Sequence, residues 1–263
     1  MAVQGVTVSS STGVPEGPRA PMLAFDRVEK SFGSVEVLRG ITFDVAAGDV
    51  VGLLGDNGAG KSTLMKVLTG VHQPTGGSVR FEGKTIRPKS PAQSRALGIE
   101  MVYQDLAIAR NQTVAENIFL GREPVRRIVG LPFLDRGQML RKSRDVLDEL
   151  HVRIPDTGVP VANLSGGQQQ CVAIARAMTR EPKLVVLDEP TAALAVREVE
   201  QVLNLVSKLR ERGVGIILIS HRLNDVFEVA NRIVVLRHGR VGADLQARAT
   251  SMKDVVEHIV GAT

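Results

Sequence analysis

A glycine-rich loop in the first quarter of the chain has the residue types and the spacing of a phosphate-binding site. The segment GDNGAGKST follows an apolar stretch, Val50–Leu54, and leads into a helical pattern, so that G-x-x-x-x-G-K-S lies between a strand and a helix. In such a loop the backbone N–H groups face phosphate oxygens, Lys61 adds a positive charge, and the Ser62 hydroxyl binds Mg²⁺. The predicted nucleotide site comprises Gly55, Asp56, Asn57, Gly58, Ala59, Gly60, Lys61, Ser62 and Thr63.

Two carboxylates follow a second apolar stretch. In LVVLDEPT, the run Leu184–Leu187 ends in Asp188 and Glu189. Beside a phosphate loop, we expect Asp188 to hold Mg²⁺ through water and Glu189 to act as the general base on the attacking water. Because side chains alternate along a strand, we also expect the two carboxylates to face opposite ways.

Two more polar side chains follow strand candidates. His221 comes just after the apolar strand in ILISHRL, and Gln104 follows Ile99–Tyr103. The carboxyl ends of parallel strands meet at the edge of a sheet where ligands bind. We therefore predict that His221 contacts a γ-phosphate and that Gln104 reaches the metal or the water through its amide. Taken alone, each has an ordinary alternative, a packed or capping histidine and a surface glutamine.

A second glycine-rich helix start lies in NLSGGQQQCVAIARAM. Its residues Ser165, Gly166, Gly167 and Gln168 open a helical pattern, and exposed N–H groups at such a start, with the positive end of the helix dipole, favour an anion. This segment has no metal-binding carboxylate and no base of its own. Such a site makes sense if another subunit supplies the nucleotide.

The element pattern predicts an α/β fold around a mostly parallel sheet. Short β-branched runs alternate with helical patterns, and several runs are apolar throughout, as in strands buried on both faces. Residues 105–165 differ, because they contain helices and loops and no convincing strand. In the helix predicted over Arg136–Leu150, one apolar face is expected, with Asp135 as the N-cap; its members are Met139, Leu140, Val146, Leu147 and Leu150. The phosphate loop occurs once, which indicates one nucleotide-binding unit.

Bulk composition limits the other possibilities. The chain has 263 residues and a net charge of +5, with Lys and Arg dispersed among Asp and Glu, so we favour a mildly basic globular domain over a nucleic-acid-binding protein. The start, residues 1–21, is predicted to be a flexible tail and does not resemble a secretory signal. No apolar run is long enough to span a bilayer. Cys171 is the single cysteine and is interpreted as a small core residue.

Together these motifs resemble the ATP-binding subunits of ABC transporters, from Met22 to about Gly242. Gly55–Ser62 is similar to the Walker A loop, Gln104 to the Q-loop glutamine, and Leu164–Gln168 to the LSGGQ signature. The Walker B pair and the switch histidine are matched by the remaining site residues, Asp188, Glu189 and His221. The resemblance implies a P-loop NTPase (RecA-like) α/β core over 22–263, with a mainly parallel sheet, an antiparallel β subdomain and a helical insert at about 105–165.

The position of Phe32, in KSFGS, is similar to that of the family's adenine-stacking aromatic residue. A stacking role and a place in the core are both open for Phe32, because spacing alone does not separate them. Similarly, MKDVVEHIV near the end of the chain is either a docking helix or a packed one.

Two longer segments, NIFLGREP and ISHRLNDVFEVANRIVVLRHGRV, resemble segments in the ATPases of bacterial monosaccharide importers of the ribose, xylose and fructose group. This resemblance implies ATP and Mg²⁺ as ligands and a second cassette, most simply a homodimer, whose ATP is held by Ser165 and Gly167. It further implies separate transmembrane permease subunits, an extracytoplasmic sugar-binding protein, and a peripheral location on the cytoplasmic face of the bacterial inner membrane.

The sequence departs from the family in one turn and leaves other functions open. Ala195 replaces the aspartate of the family's SALD turn, which helps to couple the two ATP sites. One alternative is an ABC ATPase that serves another substrate or has a role outside transport, as in repair or translation, although proteins of the latter kind usually carry two cassettes or long inserts. A non-hydrolysing ATP-binding scaffold is a second alternative, and the presence of both Glu189 and His221 argues against it.

Overall fold

The computed structural model describes residues 20–129 and 131–261, so the predicted N-terminal tail lies almost entirely outside the described residues. The strands are β1 (Pro21–Phe32), β2 (Val35–Ala46), β3 (Val50–Leu54), β4 (Gly76–Phe81), β5 (Lys84–Ile86), β6 (Ile99–Val102), β7 (Val125–Ile128), β8 (Leu131–Leu134), β9 (Leu184–Asp188), β10 (Gly215–Ile219), β11 (Arg232–Arg237) and β12 (Arg240–Gln246). The helices are α1 (Lys61–Leu68), α2 (Pro91–Ala96), α3 (Val114–Ile118), α4 (Arg136–Glu149), α5 (Gly166–Met178), α6 (Val196–Glu211), α7 (Leu223–Val229) and α8 (Met252–Val260).

The main sheet has the strand order β12-β11-β3-β10-β9-β6. Its pairs are parallel except for β11 with β12, which are antiparallel. Every residue of β3 and β10 is buried, because helices cover one face and a second sheet with α1 covers the other. The predicted mainly parallel α/β core is confirmed.

Alternate residues of the central strands pack into two separate hydrophobic cores, one on each face of the main sheet. Val50 and Leu54 pack into the cluster formed with α5 and α6, whereas Val51 and Leu53 pack against α1 and the strands of the second sheet. This second sheet is antiparallel and has the order β2-β1-β4-β5. It corresponds to the expected antiparallel β subdomain, and it places β2 beside the phosphate loop.

The region at 105–165 is helical, as predicted, but it also contains two strands that the sequence analysis excluded. β7 and β8 pair as an antiparallel hairpin, and all of their residues are exposed. With neither face buried, the hairpin has no alternation of apolar and polar residues, which is why the pattern gave no strand signal.

Helix α4 begins as expected, because the side chain of Asp135 accepts a hydrogen bond from the Gln138 N–H at 2.9 Å. Its predicted apolar face is wrong at one position: Leu140 is 40% exposed, whereas Met139 and Leu147 are buried. Leu140 lies about 100° around the helix from Met139, on the side where the helix meets solvent. Within residues 20–129 and 131–261, no helix combines the length and hydrophobicity that a bilayer span requires.

Candidate functional site

A cavity of about 650 Å³ lies at the carboxyl ends of the parallel strands β3, β6, β9 and β10. The loop between β3 and α1 forms one wall, and the ends of the neighbouring strands form the other. The structure brings together the whole predicted phosphate loop and four predicted side chains from other segments. These are Gln104, Asp188, Glu189 and His221.

The loop after β3 is shaped by glycines in left-handed backbone conformations. Gly55 has a φ of 140° and Gly60 a φ of 109°. A Cβ on Gly55 would overlap the carbonyl oxygen of Leu236, and one on Gly60 would lie 2.8 Å from a methyl group of Leu38. Helix α1 starts after Gly60 without a side-chain cap. Its first N–H groups therefore stay available to an anion.

Lys61 reaches back over this loop. Its ammonium donates hydrogen bonds to the carbonyl oxygens of Gly55 and Asp56, the latter at 3.0 Å. Burial lowers the pKa of Lys61, and the nearby carboxylates of Glu189, Asp56 and Asp188 act in the opposite direction. A half-buried cation surrounded by backbone dipoles and carboxylates is suited to meet a phosphate at the β/γ position.

The carboxylates at the end of β9 both line the cavity, contrary to the expectation that they face opposite ways. The strand ends at Asp188, and Glu189 takes a left-handed φ of 49°, so the alternation of a regular strand stops there. Desolvation raises the pKa of Asp188, and the negative charge of Glu189 raises it further, while Lys61 opposes both. Two acidic groups are thus held at one cavity wall.

His221 completes the wall opposite the phosphate loop. Its Nδ1 lies 2.8 Å from Oε2 of Glu189, and its backbone N–H donates to the same oxygen at 3.4 Å. The imidazole is 73% exposed, whereas the Glu189 side chain is 16% exposed. The histidine is therefore neither a core residue nor a helix cap, and it projects into the space above the carboxylate.

The second predicted anion site and the predicted adenine contact lie elsewhere. Neither Ser165–Gln168 nor Phe32 is among the described residues that line the cavity. Phe32 is 45% exposed, which rules out a place in the core. Its ring makes an edge contact with His72 at a centroid distance of 5.1 Å, and Lys30 Nζ lies 4.9 Å from its centroid. The ring remains open to a flat ligand.

The start of α5 is capped by its own residues. The Ser165 hydroxyl accepts a hydrogen bond from the Gln168 N–H at 3.4 Å, and the Gln168 side chain accepts one from the Ser165 N–H at 3.1 Å. Ser165 and Gly166 are exposed, but Gly167 is buried against Glu198, where an added Cβ would lie 2.7 Å from the Glu198 Cβ. Only a glycine fits this approach.

Glu198 is a site residue that the sequence analysis missed. Its carboxylate accepts a hydrogen bond from the Ala195 N–H at 3.1 Å. This bond, together with hydrogen bonds from Ser165 and from the backbone of Gly167 and Gly166, lowers the pKa of Glu198. An acidic side chain of this chain thus lies at the helix start predicted to bind a phosphate. The available signal was Glu three residues after Ala195, as in a capping box, but without the usual Ser or Thr.

Cys171 in α5 is buried in the core cluster that also includes residues of α6, as interpreted from the sequence. Burial raises the pKa of the Cys171 thiol to about 12. The thiolate is therefore scarce at neutral pH, and the residue acts as a small apolar side chain.

Comparison with known proteins gives a consistent result. Residues 38–192 match the family model described as ABC transporter. The chain is 44% identical to a xylose/arabinose import ATP-binding protein of Sulfolobus acidocaldarius, over 90% of this chain and 92% of that protein. It is 43% identical to a fructose import ATP-binding protein of Rhizobium meliloti, over 92% of this chain and 95% of that protein.

A ribose import ATP-binding protein of Rubrobacter xylanophilus is 42% identical, and the match covers 92% of this chain but 47% of that longer protein. The chain therefore spans about half the length of this relative. Among solved structures, an ATP-binding cassette of an ABC transporter superposes with a TM-score of 0.79 and 30% identity, over 92% of this chain and 98% of that one. A dimeric cassette in a post-hydrolysis state, bound to ADP and phosphate, superposes with a TM-score of 0.71 and 25% identity, over 86% of this chain and 99% of that one.

Proposed function

The chain belongs to the ABC transporter family of ATP-binding proteins, and from this premise we propose that it hydrolyses ATP to drive the uptake of a monosaccharide through separate membrane subunits. The observation that carries the proposal is the single cavity in which Lys61, Asp188, Glu189 and His221 converge. A phosphate loop alone binds nucleotides in many folds, but a base and a polarising histidine at the same cavity add hydrolysis.

Within this cavity each side chain has a distinct task. The loop N–H groups and Lys61 hold the β- and γ-phosphates, which spreads the charge that develops during phosphoryl transfer. Glu189 takes a proton from the attacking water. His221 orients the Glu189 carboxylate through the 2.8 Å contact, and its exposed ring is proposed to contact the γ-phosphate.

The residues also fit Mg²⁺. The Ser62 hydroxyl, the Asp188 carboxylate and the Gln104 amide are oxygen donors that share the cavity, and oxygen donors are what Mg²⁺ prefers. Burial and, after it, the negative charge of Glu189 raise the pKa of Asp188, and a bound cation would favour the ionised carboxylate. When bound, Mg²⁺ neutralises charge on the β- and γ-phosphates.

A complete site is proposed to need a second cassette, most simply a second copy of this chain. Ser165 and Gly167 lie outside the cavity with the phosphate loop, so in this proposal they serve the γ-phosphate of the partner's ATP. In a head-to-tail dimer, each copy contributes its phosphate loop to one ATP site and the start of its helix α5 to the other, so the assembly is complete with two copies. The dimeric relative with ADP and phosphate supports a pair of cassettes. Phe32 is proposed to stack on the adenine of the ATP held by its own chain.

The substrate and the membrane location are proposed from the relatives. Several proteins of similar sequence are named as import ATP-binding proteins for xylose/arabinose, fructose or ribose. We infer a peripheral subunit at the cytoplasmic face of the inner membrane, bound to permease subunits near the helical insert and fed by an extracytoplasmic sugar-binding protein. Nucleic acid is not among the proposed partners.

The test is reconstitution with the membrane subunits. The chain, co-expressed with a candidate sugar permease, should co-purify with it, and its ATPase rate should rise when one monosaccharide and its binding protein are added. The Glu189→Gln variant is the matched control, since it should assemble but fail to respond. An ATPase rate that no sugar changes, or a chain that never binds the permease, would contradict the importer assignment while leaving ATP hydrolysis in place.

A further inference from the structure

The hairpin of β7 and β8 carries the densest group of exposed apolar side chains among the described residues. Val129, directly after β7, is 98% exposed, and Phe133 in β8 is 47% exposed. The full group of large exposed apolar residues in this hairpin is Val125, Ile128, Val129, Leu131, Phe133 and Leu134. An exposed apolar cluster of this kind marks an interaction surface. The base of the hairpin is closed by a hydrogen bond of 2.8 Å from the Asp135 N–H to the Pro124 carbonyl.

The pairing register shows that both faces of the hairpin are apolar. Val125 pairs with Leu134, so these two side chains share one face. Ile128 pairs with Leu131 on the opposite face, where Phe133 also lies. A groove on a partner protein covers one face of such a ribbon and leaves the other in water. A lipid bilayer surrounds an inserted ribbon on both faces and at its tip.

The charge of the hairpin favours an anionic surface. Arg126 and Arg127 are neighbours in β7 and therefore point to opposite faces, and both are exposed. Residues 124–134 contain no Asp and no Glu. Each face thus combines apolar side chains with one arginine, a combination that binds the boundary between lipid headgroups and acyl chains.

We propose that the strands β7 and β8, with Val129, form a membrane-binding element whose apolar side chains enter the interface of an anionic bilayer while Arg126 and Arg127 bind headgroup phosphates. The hairpin would hold the cassette at the membrane independently of the permease. The proposal extends the membrane location given above, but it requires no ATP, sugar or permease. A failed lipid test therefore leaves the transport proposal standing, and a failed transport test leaves the lipid proposal standing.

The chain offers a clean optical test because it contains no Trp. Phe133→Trp places one tryptophan in the hairpin, and Val260→Trp places one at a 66% exposed position of α8 as the matched control. With vesicles of phosphatidylglycerol and phosphatidylcholine, the emission of the tryptophan at 133 should shift to the blue, and brominated acyl chains should quench it. The control should show neither effect, and vesicles of phosphatidylcholine alone should give a much weaker response.

Vesicle co-sedimentation of the full chain provides the second measurement. Arg126→Ala and Arg127→Ala should each weaken binding to the anionic vesicles about fivefold, with a smaller loss at high salt. Val129→Ser should weaken it about tenfold. Arg248→Ala, which changes an exposed arginine far along the sequence, is the control and should leave binding unchanged. Retained ATP binding shows that each variant is folded.

Three outcomes would overturn the proposal. One is the absence of any blue shift or quenching at position 133 with anionic vesicles. Another is a response that appears only when permease is present in the vesicles, which would assign the hairpin to a protein contact. The third is a change of oligomeric state in Val129→Ser at unchanged vesicle binding, which would assign it to a second copy of the chain.

Discussion

His221 Nδ1 lies 2.8 Å from Glu189 Oε2, although the two residues follow different strands of the parallel sheet, β10 and β9. The His221 N–H donates to the same oxygen at 3.4 Å, so one residue fixes the carboxylate from two directions. The left-handed φ of 49° at Glu189 turns this carboxylate into the cavity. The imidazole therefore lies directly beside the carboxylate that we propose as the general base.

Glu189→Gln should abolish most of the ATP hydrolysis while keeping ATP binding. The amide retains the shape of the side chain but cannot take a proton, so we expect a loss of roughly 10²–10⁴-fold in turnover. Steady-state phosphate release and equilibrium binding of a fluorescent ATP analogue measure the two effects separately. Glu228→Gln, at an exposed position of α7, is the control and should keep the wild-type rate. A variant at position 189 with normal turnover would remove Glu189 as the base.

Asp188→Asn should stabilise the nucleotide-free chain against unfolding at neutral pH. The same substitution should weaken Mg²⁺-dependent binding of ATP. Burial and Glu189 raise the pKa of Asp188, so the folded state binds more protons there than the unfolded state does. The free energy of unfolding therefore falls as the pH rises from the ordinary aspartate pKa through the raised one. The loss of stability caused by the Asp188 carboxylate is complete above the raised pKa and absent below the ordinary aspartate pKa.

Thermal unfolding in EDTA, from about pH 4 to about pH 8, tests this sign. The difference in Tm between Asp188→Asn and the wild type should be positive at the upper end and should shrink toward the lower end. Asp44→Asn removes a carboxylate that is 43% exposed and paired with Arg232, and it should instead lower the Tm. A pH-independent difference at position 188 would contradict a raised pKa.

The nucleotide cavity could be predicted from the sequence because each of its parts has a short local sequence pattern. Each part is recognised from residues that are neighbours in the chain. The parts are the glycines before Lys61, the apolar run before Asp188, and a polar residue after each of two more strands. Parallel pairing of those strands then brings the parts together without further specification. The core strands were equally readable, because residues such as those of β3 are apolar without interruption.

The features that sequence reasoning missed depend on tertiary context. The orientation of Glu189 depends on a single left-handed residue, and nothing in its side chain demands that conformation. Glu198 approaches Gly167 only because α6 packs on α5, a contact between segments about thirty residues apart. The hairpin of β7 and β8 buries neither face, so it lacks the period that identifies strands.

Glu198→Gln should favour the proposed dimer. The Glu198 carboxylate lies at the start of α5, where the γ-phosphate of a partner's ATP is expected, and two anions at one helix start repel each other. Glutamine keeps an acceptor for the Ala195 N–H but removes the charge. In the Glu189→Gln background, we expect the ATP concentration for half-maximal dimerisation to fall about two- to fivefold. Analytical ultracentrifugation measures this shift.

Glu200→Gln, on the exposed side of the same helix, is the matched control and should leave dimerisation unchanged. If Glu198→Gln required more ATP than the parent, the carboxylate would be a needed part of the composite site and not a competitor of the phosphate.

The head-to-tail arrangement itself predicts complementation between two inactive variants. Ser165→Arg damages the signature helix, and Lys61→Ala damages the phosphate loop. Each homodimer then has two broken sites, since every composite site lacks one of its halves. In a mixed dimer both lesions fall in one site, and the other site pairs an intact loop with an intact signature. Mixing the two proteins should therefore restore ATPase activity, with one repaired site in each mixed dimer.

The control for complementation is nucleotide binding by the separate variants. Ser165→Arg retains its own phosphate loop and should still bind ATP as a monomer, whereas Lys61→Ala should lose binding because its loop lacks the cation. Ala195, in place of the usual aspartate of this turn, removes a carboxylate expected to couple the two sites, which favours activity from a dimer with one working site. A folded Ser165→Arg chain that bound no ATP, or one that hydrolysed ATP normally as a proven monomer, would assign the signature to its own chain's site.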